Sequence, residues 1–423
     1  MFRKKMFRKK RMNVESLVSI DAKFNEIQDL DILLERILLE ARKVVNADAG
    51  TIYVKEMVEE EGEKTEKLVM KYSQNDTKQK ELPLGQKLIY SFFAVPITDK
   101  TISGYCALTK QPVNVPDAYN LPPDVPYSFG KKYDEISKYR TTSILAVPLK
   151  SAEGNLLGVI QIINALDNAG KSIPFSAKDE LLITHFAHNV TNALQKAQIM
   201  RTMILRMIKM AELRDPKESG KHVNRVAGYA VEIYDQWAIR HGKSQAEREE
   251  TKDSLRIASM LHDVGKVAVS DSILKKPAKF TPEEFVIMQG HTTHGAALFS
   301  DPQSPLDNLS LDIAFSHHEN WDGTGYPGWV DPLSGTPLKT DANGKVLGKK
   351  GEDIPLAGRI VSLADVFDAL SSRRVYKEPW PEEQVLTEIR EMSGTKFDPE
   401  LVEIFFEILP HIKQIQQRYP ETE

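Results

Sequence analysis

The first part of the chain changes from a helical to an alternating pattern of apolar residues. Apolar residues recur at helical spacing from Leu33 to Ala41, which predicts an amphipathic helix, whereas residues 51–54 alternate as a half-buried strand does. Residues 57–90 are charged and rich in Gln and Lys, which is typical of an exposed hairpin and loops. Short segments rich in β-branched or aromatic residues predict further strands at 92–97, 104–108, 143–149 and 157–163. With a closing helix after residue 180, this order predicts a small α+β domain.

A single long helix is predicted from Leu181 to Leu213, where neither proline nor glycine interrupts the chain. Its apolar residues step alternately by three and four positions, which makes a heptad seam. The heptad seam consists of Ile183, Phe186, Val190, Ala193, Ala197, Met200, Ile204, Met207 and Ala211. Such a seam favours two helices wound together in a parallel homodimer that links two domains. The alternative is a helix that packs on its own domain, and we expect the homodimer.

Histidines and carboxylates recur in short motifs after residue 215, where apolar runs predict mostly helices. The motifs are Glu218-Ser-Gly-Lys-His222, His262-Asp263, His291, His317-His318-Glu319 and Asp365-Val-Phe-Asp368. Burying a carboxylate in an apolar helix is costly unless a cation or hydrogen-bond donors meet it. Imidazoles and carboxylates without thiolates suit iron(II), manganese or another divalent ion, and this set exceeds what one ion needs. Spacing alone leaves ordinary core and surface residues as the alternative to a metal site.

Composition narrows the class of protein. The chain has 423 residues, 41% of them hydrophobic and 27% charged, as in a globular protein of two or three domains. These values exclude a largely disordered chain and a collagen-like repeat. The lone cysteine, Cys106, excludes an intrachain disulfide and a cysteine-based metal cage, and it is typical of a cytoplasmic protein. No apolar run reaches the roughly 18 residues needed to span a bilayer.

Charge adds one local feature. The net charge is −4, so no broad positive field attracts DNA. Residues 1–12 are the exception, with seven basic residues among twelve, but no long apolar core follows as a signal peptide would require. This start is expected to be a solvated tail, and the alternative is a weak contact with an anionic membrane.

Residues 31–195 resemble a GAF domain. The segments that carry the resemblance are Leu33-Leu-Glu-Arg-Ile-Leu, Ala47-Asp-Ala-Gly-Thr-Ile-Tyr, Ser143-Ile-Leu-Ala-Val-Pro-Leu and Leu157-Gly-Val-Ile-Gln-Ile-Ile-Asn-Ala. Members that bind cyclic nucleotides carry an Asn-Lys … Phe-x-x-x-Asp-Glu signature. Here Asn164 is followed by alanine, and the matching positions are Phe175, Asp179 and Glu180. The missing lysine weakens that assignment, the two acids could equally favour the first turn of the next helix, and the ligand stays unknown.

A second resemblance covers residues 201–410. His262-Asp263 resembles the adjacent pair of the HD phosphohydrolase superfamily, and residues 317–327, His-His-Glu-Asn-Trp-Asp-Gly-Thr-Gly-Tyr-Pro, resemble the signature of its HD-GYP subfamily. This likeness implies an all-α helical bundle and a metal-dependent phosphodiesterase. The chain is therefore interpreted as multidomain, with four parts: a basic N-terminal segment (1–30), a GAF domain (31–180), a connecting helix (181–213) and an HD-GYP domain (214–423).

The HD-GYP resemblance also implies a set of metal ligands. They are Glu218, His222, His262, Asp263, His291, His317, His318 and Asp365. Glu218 matches a glutamate found in members with three ions, whereas other members hold two, so we expect three. Asp263 is expected to bridge ions and to be catalytic, and iron is expected, with manganese as the alternative. Four other histidines, His185, His188, His241 and His294, are expected to have no metal role.

Substrate contacts are implied in the same way. Lys266 is expected to be catalytic and to reach a phosphate oxygen, and Arg374 and Lys377 match basic positions that bind the substrate phosphates. Tyr326 lies in the Gly-Tyr-Pro loop and is expected to contact substrate or a partner. Residues 328–351 form an apparent insertion, interpreted as either a lid over the metals or a surface hairpin.

Together these residues imply hydrolysis of cyclic di-GMP to linear pGpG, with GMP as the alternative product, by metal ions that activate water. The resemblance also implies regulation by the GAF domain and its unknown ligand, and a GGDEF-type partner protein. One alternative is another cyclic dinucleotide, such as cyclic GMP–AMP. Another is a receptor that binds a dinucleotide or a partner without hydrolysis. Neither a helix-turn-helix nor a broad basic surface supports DNA binding.

Overall fold

The structure is a computed structural model that describes residues 24–60, 63–82, 88, 93–212, 220–372 and 380–420. The basic segment at residues 1–12, expected to be a solvated tail, therefore lies outside the described residues. The chain divides into two units, Met1–Met200 and Arg201–Glu423. Among the described helices, none combines the length and the apolar character that crossing a membrane requires.

The first unit alternates helices with strands. Its elements are α1 (Leu30–Val44), β1 (Ala47–Glu60), β2 (Glu63–Asn75), α2 (Asp76–Gln79), β3 (Ala94–Pro96), α3 (Ile102–Thr109), β4 (Val113–Val115), α4 (Lys132–Ser137), β5 (Ile144–Lys150), β6 (Leu156–Leu166), β7 (Ser172–Ile173) and α5 (Ala177–Glu212). Asp29 caps α1, since its side chain accepts hydrogen bonds from the backbone N–H groups of Asp31 and Ile32. The predicted helix and strands at 33–41, 51–54, 143–149 and 157–163 coincide with α1, β1, β5 and β6, although β5 begins one residue later than predicted.

The strands form one antiparallel sheet with the order β3-β2-β1-β6-β5-β4, and β7 pairs with β6. The central pairing sets Thr51 of β1 opposite Gln161 of β6. One face of the sheet packs on α1 and α5 through side chains such as Ile37, Ile160 and Val190, which are fully buried. The opposite face packs on α3. The first unit is therefore an α+β domain with a core on each side of its sheet.

The strand predicted at 104–108 is wrong, because these residues belong to α3. The side chain of Thr101 caps this helix by accepting a hydrogen bond from the N–H of Gly104 at 3.1 Å. A Cβ atom at Gly104 would lie 2.7 Å from the carbonyl oxygens of Pro96 and Thr98, so only glycine fits there. A short apolar run bounded by turn residues does not distinguish a buried strand from a buried helix.

Helix α5 carries the heptad seam, but the first five seam positions are buried inside the first unit. They are Ile183, Phe186, Val190, Ala193 and Ala197, each at most 2% exposed. The alternative of a helix packed on its own domain therefore holds for this half of the seam. Farther along α5, a row of apolar side chains, here called the exposed stripe, remains 51–62% exposed. The exposed stripe consists of Ile199, Met203, Met207 and Met210.

The second unit is mostly helical. Its elements are α6 (Gly220–Arg240), α7 (Gln245–Met260), a 3-10 helix (Val264–Ala268), α8 (Asp271–Leu274), α9 (Pro282–Gln289), α10 (His291–Ala297), α11 (Pro305–Ser316), a second 3-10 helix (Gly351–Asp353), α12 (Leu356–Ser371), α13 (Glu382–Glu391), α14 (Pro399–Glu407) and α15 (Leu409–Arg418). Helix α6 is central and packs against α7, α12, α14 and α15. Buried side chains such as Tyr229, Leu363 and Phe405 fill this core.

The predicted insertion at 328–351 is ordered by turns and short bridges. Val330 pairs with Pro337 and Thr340 with Val346 in two antiparallel bridges. Val330 is buried, whereas residues 333–340 are exposed. The segment thus has the form of surface hairpins, which was one of its two interpretations.

Candidate metal centre

Four predicted ligands converge in what we call the histidine-rich cluster: Asp263, His291, His317 and His318. One ligand atom from each lies within 4.8 Å of the others. Asp263 follows α7, whereas His291 begins α10 and His317 directly follows α11. Helices that are separate in the sequence therefore deliver these side chains to one place.

A second cluster joins three further predicted ligands: His222, His262 and Asp365. Their ligand atoms also lie within 4.8 Å of one another. The Nε2 atom of His222 on α6 is 3.5 Å from Oδ1 of Asp365 on α12. Both histidines are buried, whereas the side chain of Asp365 is 16% exposed and gives the cluster access to solvent.

Asp263 lies between the two clusters. Its Oδ1 is 3.2 Å from Nε2 of His291 and 3.5 Å from Nε2 of His317, in the histidine-rich cluster. Its Oδ2 is 3.3 Å from Nε2 of His262, in the second cluster, and 2.6 Å from Nζ of Lys266. One carboxylate therefore presents a different oxygen to each cluster, which is the geometry of a bridging ligand.

The backbone orients three of the imidazoles. His262, His291 and His317 each donate Nδ1–H to a carbonyl oxygen three or four residues earlier, at 2.9, 2.7 and 2.9 Å. These bonds place the proton on Nδ1 and leave the lone pair of Nε2 facing the clusters. Metal-binding histidines are commonly fixed in this way.

Burial and neighbouring charges shift the pKa values of three of the ligands, Asp263, His317 and His318. Burial disfavours the Asp263 carboxylate, but the positive charge of Lys266 beside it holds its pKa well below the ordinary value. Burial lowers the pKa of His317 and lowers that of His318 much further, where the neighbouring imidazoles add to the effect. A carboxylate and neutral imidazoles are the forms that bind divalent ions.

The donor set fits such ions. Oδ1 of Asp263 and the Nε2 atoms of His291 and His317 are buried without a hydrogen-bond partner in the described part of the chain. Buried acceptor atoms left unpaired carry a substantial free-energy penalty, and coordination to a cation would remove it. Nitrogen and oxygen donors without sulfur match the ligands expected from the sequence.

A buried hydrogen-bond network supports the second cluster from behind. Asp368 accepts hydrogen bonds from Nε of Arg225 at 2.7 Å and from the hydroxyl of Tyr229 at 3.2 Å, and its Oδ2 lies 2.8 Å from Nδ1 of His222. Burial opposes its ionisation, yet the bonds to His222 and Arg225 lower the pKa of Asp368 to about 2. Asp365 thus faces the cluster, while Asp368 orients a ligand of it.

The Gly-Tyr-Pro loop closes over the histidine-rich cluster. The ring of Tyr326 stacks on His318 with centroids 4.8 Å apart, and its N–H donates to the His318 carbonyl at 3.2 Å. Buried Glu319 accepts a 2.6 Å hydrogen bond from the N–H of Gly328 and so holds the end of the loop. A Cβ at Gly325 would lie 2.2 Å from the N atom of Asn320, so glycine is required for this close turn.

Some of the predicted site residues lie outside the described part of the chain, and the remaining histidines lie away from the two clusters. Glu218, Arg374 and Lys377 lie outside the described residues. The histidines expected to have no metal role are away from both clusters: His185, His188 and His294 are exposed, and His241 contacts Glu400.

Three residues near the site were not found from the sequence. Arg225 fixes Asp368 from 143 positions away, a pairing that no local pattern indicates. Glu319 lies within the 317–327 segment that resembles the HD-GYP signature, so its position indicated a role, but it was not among the predicted ligands. Lys396 donates a hydrogen bond to Asn320 at 3.3 Å. Burial lowers the pKa of Lys396, although the negative charge of Asp365 acts to raise it.

Models of known protein families match both units of the chain. A model of the GAF domain matches residues 29–194, and a model of the HD domain matches residues 220–370. The chain carries a GAF domain followed by an HD domain. The GAF match ends at 194, inside α5, rather than at the predicted boundary of 180.

Curated relatives align with about half of the chain. A "3'3'-cGAMP-specific phosphodiesterase 2" of Vibrio cholerae is 34% identical over 253 residues, which are 58% of this chain and 43% of the relative. A "Cyclic di-GMP phosphodiesterase" of Thermotoga maritima is 38% identical over 216 residues, 51% of each chain. The alignments thus span about half the length of these relatives. Among solved structures, the chain is similar to the GAF domain of a phosphoenolpyruvate-protein phosphotransferase from Coxiella burnetii. The alignment covers 45% of this chain and 96% of that domain, with 16% identity and a TM-score of 0.32.

The GAF domain contains a cavity of about 210 Å³ on the α3 side of its sheet. Apolar side chains such as Tyr53, Ile102 and Ile144 line it. Its carboxylate, Asp134, already accepts hydrogen bonds from the N–H and the hydroxyl of Thr141 at 2.7 and 2.8 Å. The described lining includes no lysine, arginine or histidine, so it offers no counter-charge for a nucleotide phosphate.

The residues that match the cyclic-nucleotide signature have structural roles instead. Oδ1 of Asn164 accepts from the N–H groups of Thr142 and Ser143 at 2.6 and 3.1 Å. Asp179 accepts from Ser176 at the start of α5, as a helix cap does. The others are Phe175, in the core, and Glu180, bonded to Asn114. The structure thus favours the capping alternative for Asp179.

Proposed function

We propose that this chain is a metal-dependent phosphodiesterase that hydrolyses cyclic di-GMP to pGpG, and onward to GMP. The observation that carries the proposal is the pair of donor clusters joined through Asp263. The names of relatives that share the HD domain support the same reaction class.

The proposed metal ligands are the residues that the HD-GYP resemblance implies. Asp263 would bridge two ions, held on one side by His291, His317 and His318. On the other side His222, His262 and Asp365 would hold the second ion. Divalent ions bound there supply Lewis-acid charge and make a water nucleophilic at neutral pH.

The chain's own residues bind and orient the phosphodiester. Lys266 lies beside Asp263 with its side chain 20% exposed, so its ammonium can reach a phosphate oxygen next to the clusters. Tyr326 covers His318 and limits how a substrate enters. Arg374 and Lys377 are proposed to bind the remaining phosphate charge, because basic side chains stabilise charge that builds on phosphoryl oxygens.

Iron is the proposed metal, with manganese as the alternative, because neutral imidazoles and carboxylates suit both. Glu218 is proposed to complete a site for a third ion. Substituting Glu218→Ala should therefore lower the number of bound ions by one, measured by elemental analysis. An unchanged metal content would contradict the third site.

A second candidate substrate is cyclic GMP–AMP, because one relative named for that activity aligns over 58% of this chain. The alternative of a receptor without hydrolytic activity has no comparable support. The seven predicted ligands within the described residues all lie in the two clusters.

The GAF domain is proposed to regulate the HD domain in a cytoplasmic homodimer. Because half of the heptad seam is buried, the proposed contact between two copies is the exposed stripe, Ile199, Met203, Met207 and Met210. These residues recur at intervals of three or four and so share one face of α5. A small molecule bound in the GAF cavity is the proposed input.

The experiment compares substrates on one preparation. Anaerobically purified full-length protein is incubated with cyclic di-GMP or cyclic GMP–AMP, and linear products are separated by chromatography. We expect cyclic di-GMP to be hydrolysed faster and chelation to abolish the activity. Faster hydrolysis of cyclic GMP–AMP would assign the second substrate. Tight binding of metal-loaded protein to cyclic di-GMP without any product would contradict an enzyme.

A further inference from the structure

An exposed aromatic ring lies beside the metal centre. Phe285 on α9 is 45% exposed, and its ring meets that of Tyr326 edge to face, with centroids 5.9 Å apart. The Tyr326 ring in turn stacks on His318 of the histidine-rich cluster. Phe285 is therefore separated from the candidate ligands by one side chain.

The packing of α9 does not account for a phenylalanine at this position. None of the residues of this helix is buried. The helix is nevertheless well fixed, since Thr281 and Glu284 form a capping box and Lys276 pairs with Glu284 at 2.5 Å. A rigid element thus holds a large apolar ring in solvent at the edge of the site.

We propose that Phe285, together with Tyr326, forms a stacking surface for a nucleobase of the substrate, an inference that rests on the proposed function. Every base has a flat π face, and stacking on an aromatic side chain stabilises binding without selecting the sequence. Lys266 and the clusters would hold the phosphodiester while the base lies on the aromatic surface. Phe285 is then a substrate-binding residue that the ligand motifs do not contain.

A protein partner is the competing occupant, because Val286 and Ile287 are 65% and 50% exposed beside Phe285. The two occupants need different residues. A nucleobase needs the ring of Phe285, whereas a partner surface would use the aliphatic neighbours as well. The contact of Phe285 with Tyr326, whose ring stacks on His318 of the histidine-rich cluster, favours the nucleobase.

The test separates the base from the sugar phosphate. Full-length protein loaded with manganese is dialysed to equilibrium against GMP or against ribose 5-phosphate, which lacks the base. Phe285→Ala should weaken GMP binding about tenfold or more, because the stack is lost, and should leave ribose 5-phosphate binding unchanged. Phe285→Tyr should restore the affinity for GMP. Val286→Ala, on the same exposed helix, is the matched control and should change neither.

The inference would be overturned if Phe285→Ala left the affinity for GMP unchanged, or if it weakened the binding of both ligands equally. A loss of GMP binding in Val286→Ala as large as in Phe285→Ala would also overturn it and favour a broad apolar surface. Failure of the proposed function looks different, since wild-type protein would then hydrolyse no cyclic dinucleotide whatever the binding ratios.

Discussion

At the scale of single residues, hydrogen bonds determine which nitrogen and oxygen atoms of the ligands can bind metal. The backbone occupies Nδ1 of His262, His291 and His317, so that Nε2 faces inward. Asp263 presents one oxygen to each cluster because it follows α7 at the point where the first 3-10 helix begins. The site therefore depends on side chains that orient ligands as much as on the ligands.

Asp368 gives the sharpest prediction at this scale. Asp368→Asn removes a buried carboxylate that pairs with Arg225 and orients His222. Breaking a buried ion pair leaves an uncompensated charge, so we expect a loss of about 3–5 kcal/mol in the free energy of unfolding. We also expect weaker metal binding, because His222 loses its orienting bond. Denaturant titration and metal-binding isotherms measure the two effects.

Asp235→Asn is the matched control for Asp368→Asn. Asp235 is also buried and accepts a 2.7 Å hydrogen bond from Arg248, but neither residue belongs to a ligand cluster. This variant should lose stability and keep its metal affinity. Equal metal affinities in the two variants would refute the orienting role of Asp368.

Much of this chemistry could be predicted from local sequence. The adjacent residues of His262-Asp263 and His317-His318 are all members of the two clusters. The long signature also contains Gly325 and Tyr326, which shape the loop above them. The partner of Asp368 could not be predicted, because only the folded helices bring Arg225 beside it. The same holds for Phe285, whose role depends on an inter-helix contact.

Elements position these residues through close backbone contacts. The first 3-10 helix packs against α10, and Gly265 lies at the contact. A Cβ there would be 1.9 Å from the carbonyl oxygen of His291 and 2.4 Å from the N atom of Gly295. No side chain fits, so the glycine sets how closely Asp263 approaches His291.

Gly265→Ala should therefore separate two elements that share the histidine-rich cluster. We expect a loss of stability of about 1–3 kcal/mol or more, as overpacking costs, and a lower metal content. Gly242→Ala is the control, since its φ is +68° and open space surrounds it. That variant should lose only about 1–2 kcal/mol, because of its left-handed backbone, and should bind metal normally. Full metal occupancy in Gly265→Ala would contradict the packing argument.

Element type was predictable where periodicity was long and not where it was short. The heptad pattern, which extends over four repeats, lies within α5. Residues 104–108 were misassigned because a run of five residues is too short to distinguish a helical from a strand period. The heptad pattern was correct as a helix, but a core-facing stripe has the same spacing as a coiled-coil seam, so the sequence did not reveal which surface it meets.

For the whole molecule, the proposed homodimer predicts that two copies of the chain meet at the exposed stripe. The double substitution Met203→Glu with Met207→Glu places charges on the exposed stripe. We expect it to convert a dimer to a monomer in light scattering, because it removes apolar contacts and adds like charges. Met57→Glu, at a methionine of β1 that is 59% exposed, is the control and should stay dimeric. A double variant that remains dimeric would exclude the exposed stripe as the interface.

The proposed activity requires that the two donor clusters converge on shared cations. Elemental analysis of anaerobically purified full-length protein tests this most directly when wild type and Asp263→Ala are compared. We predict at least two iron or manganese ions per wild-type chain and a severe loss in the variant, because Asp263 would contribute to both clusters. Either of two results would contradict this shared metal centre. One is wild-type protein that holds no such ions yet hydrolyses cyclic di-GMP, and the other is an Asp263→Ala variant with full metal content.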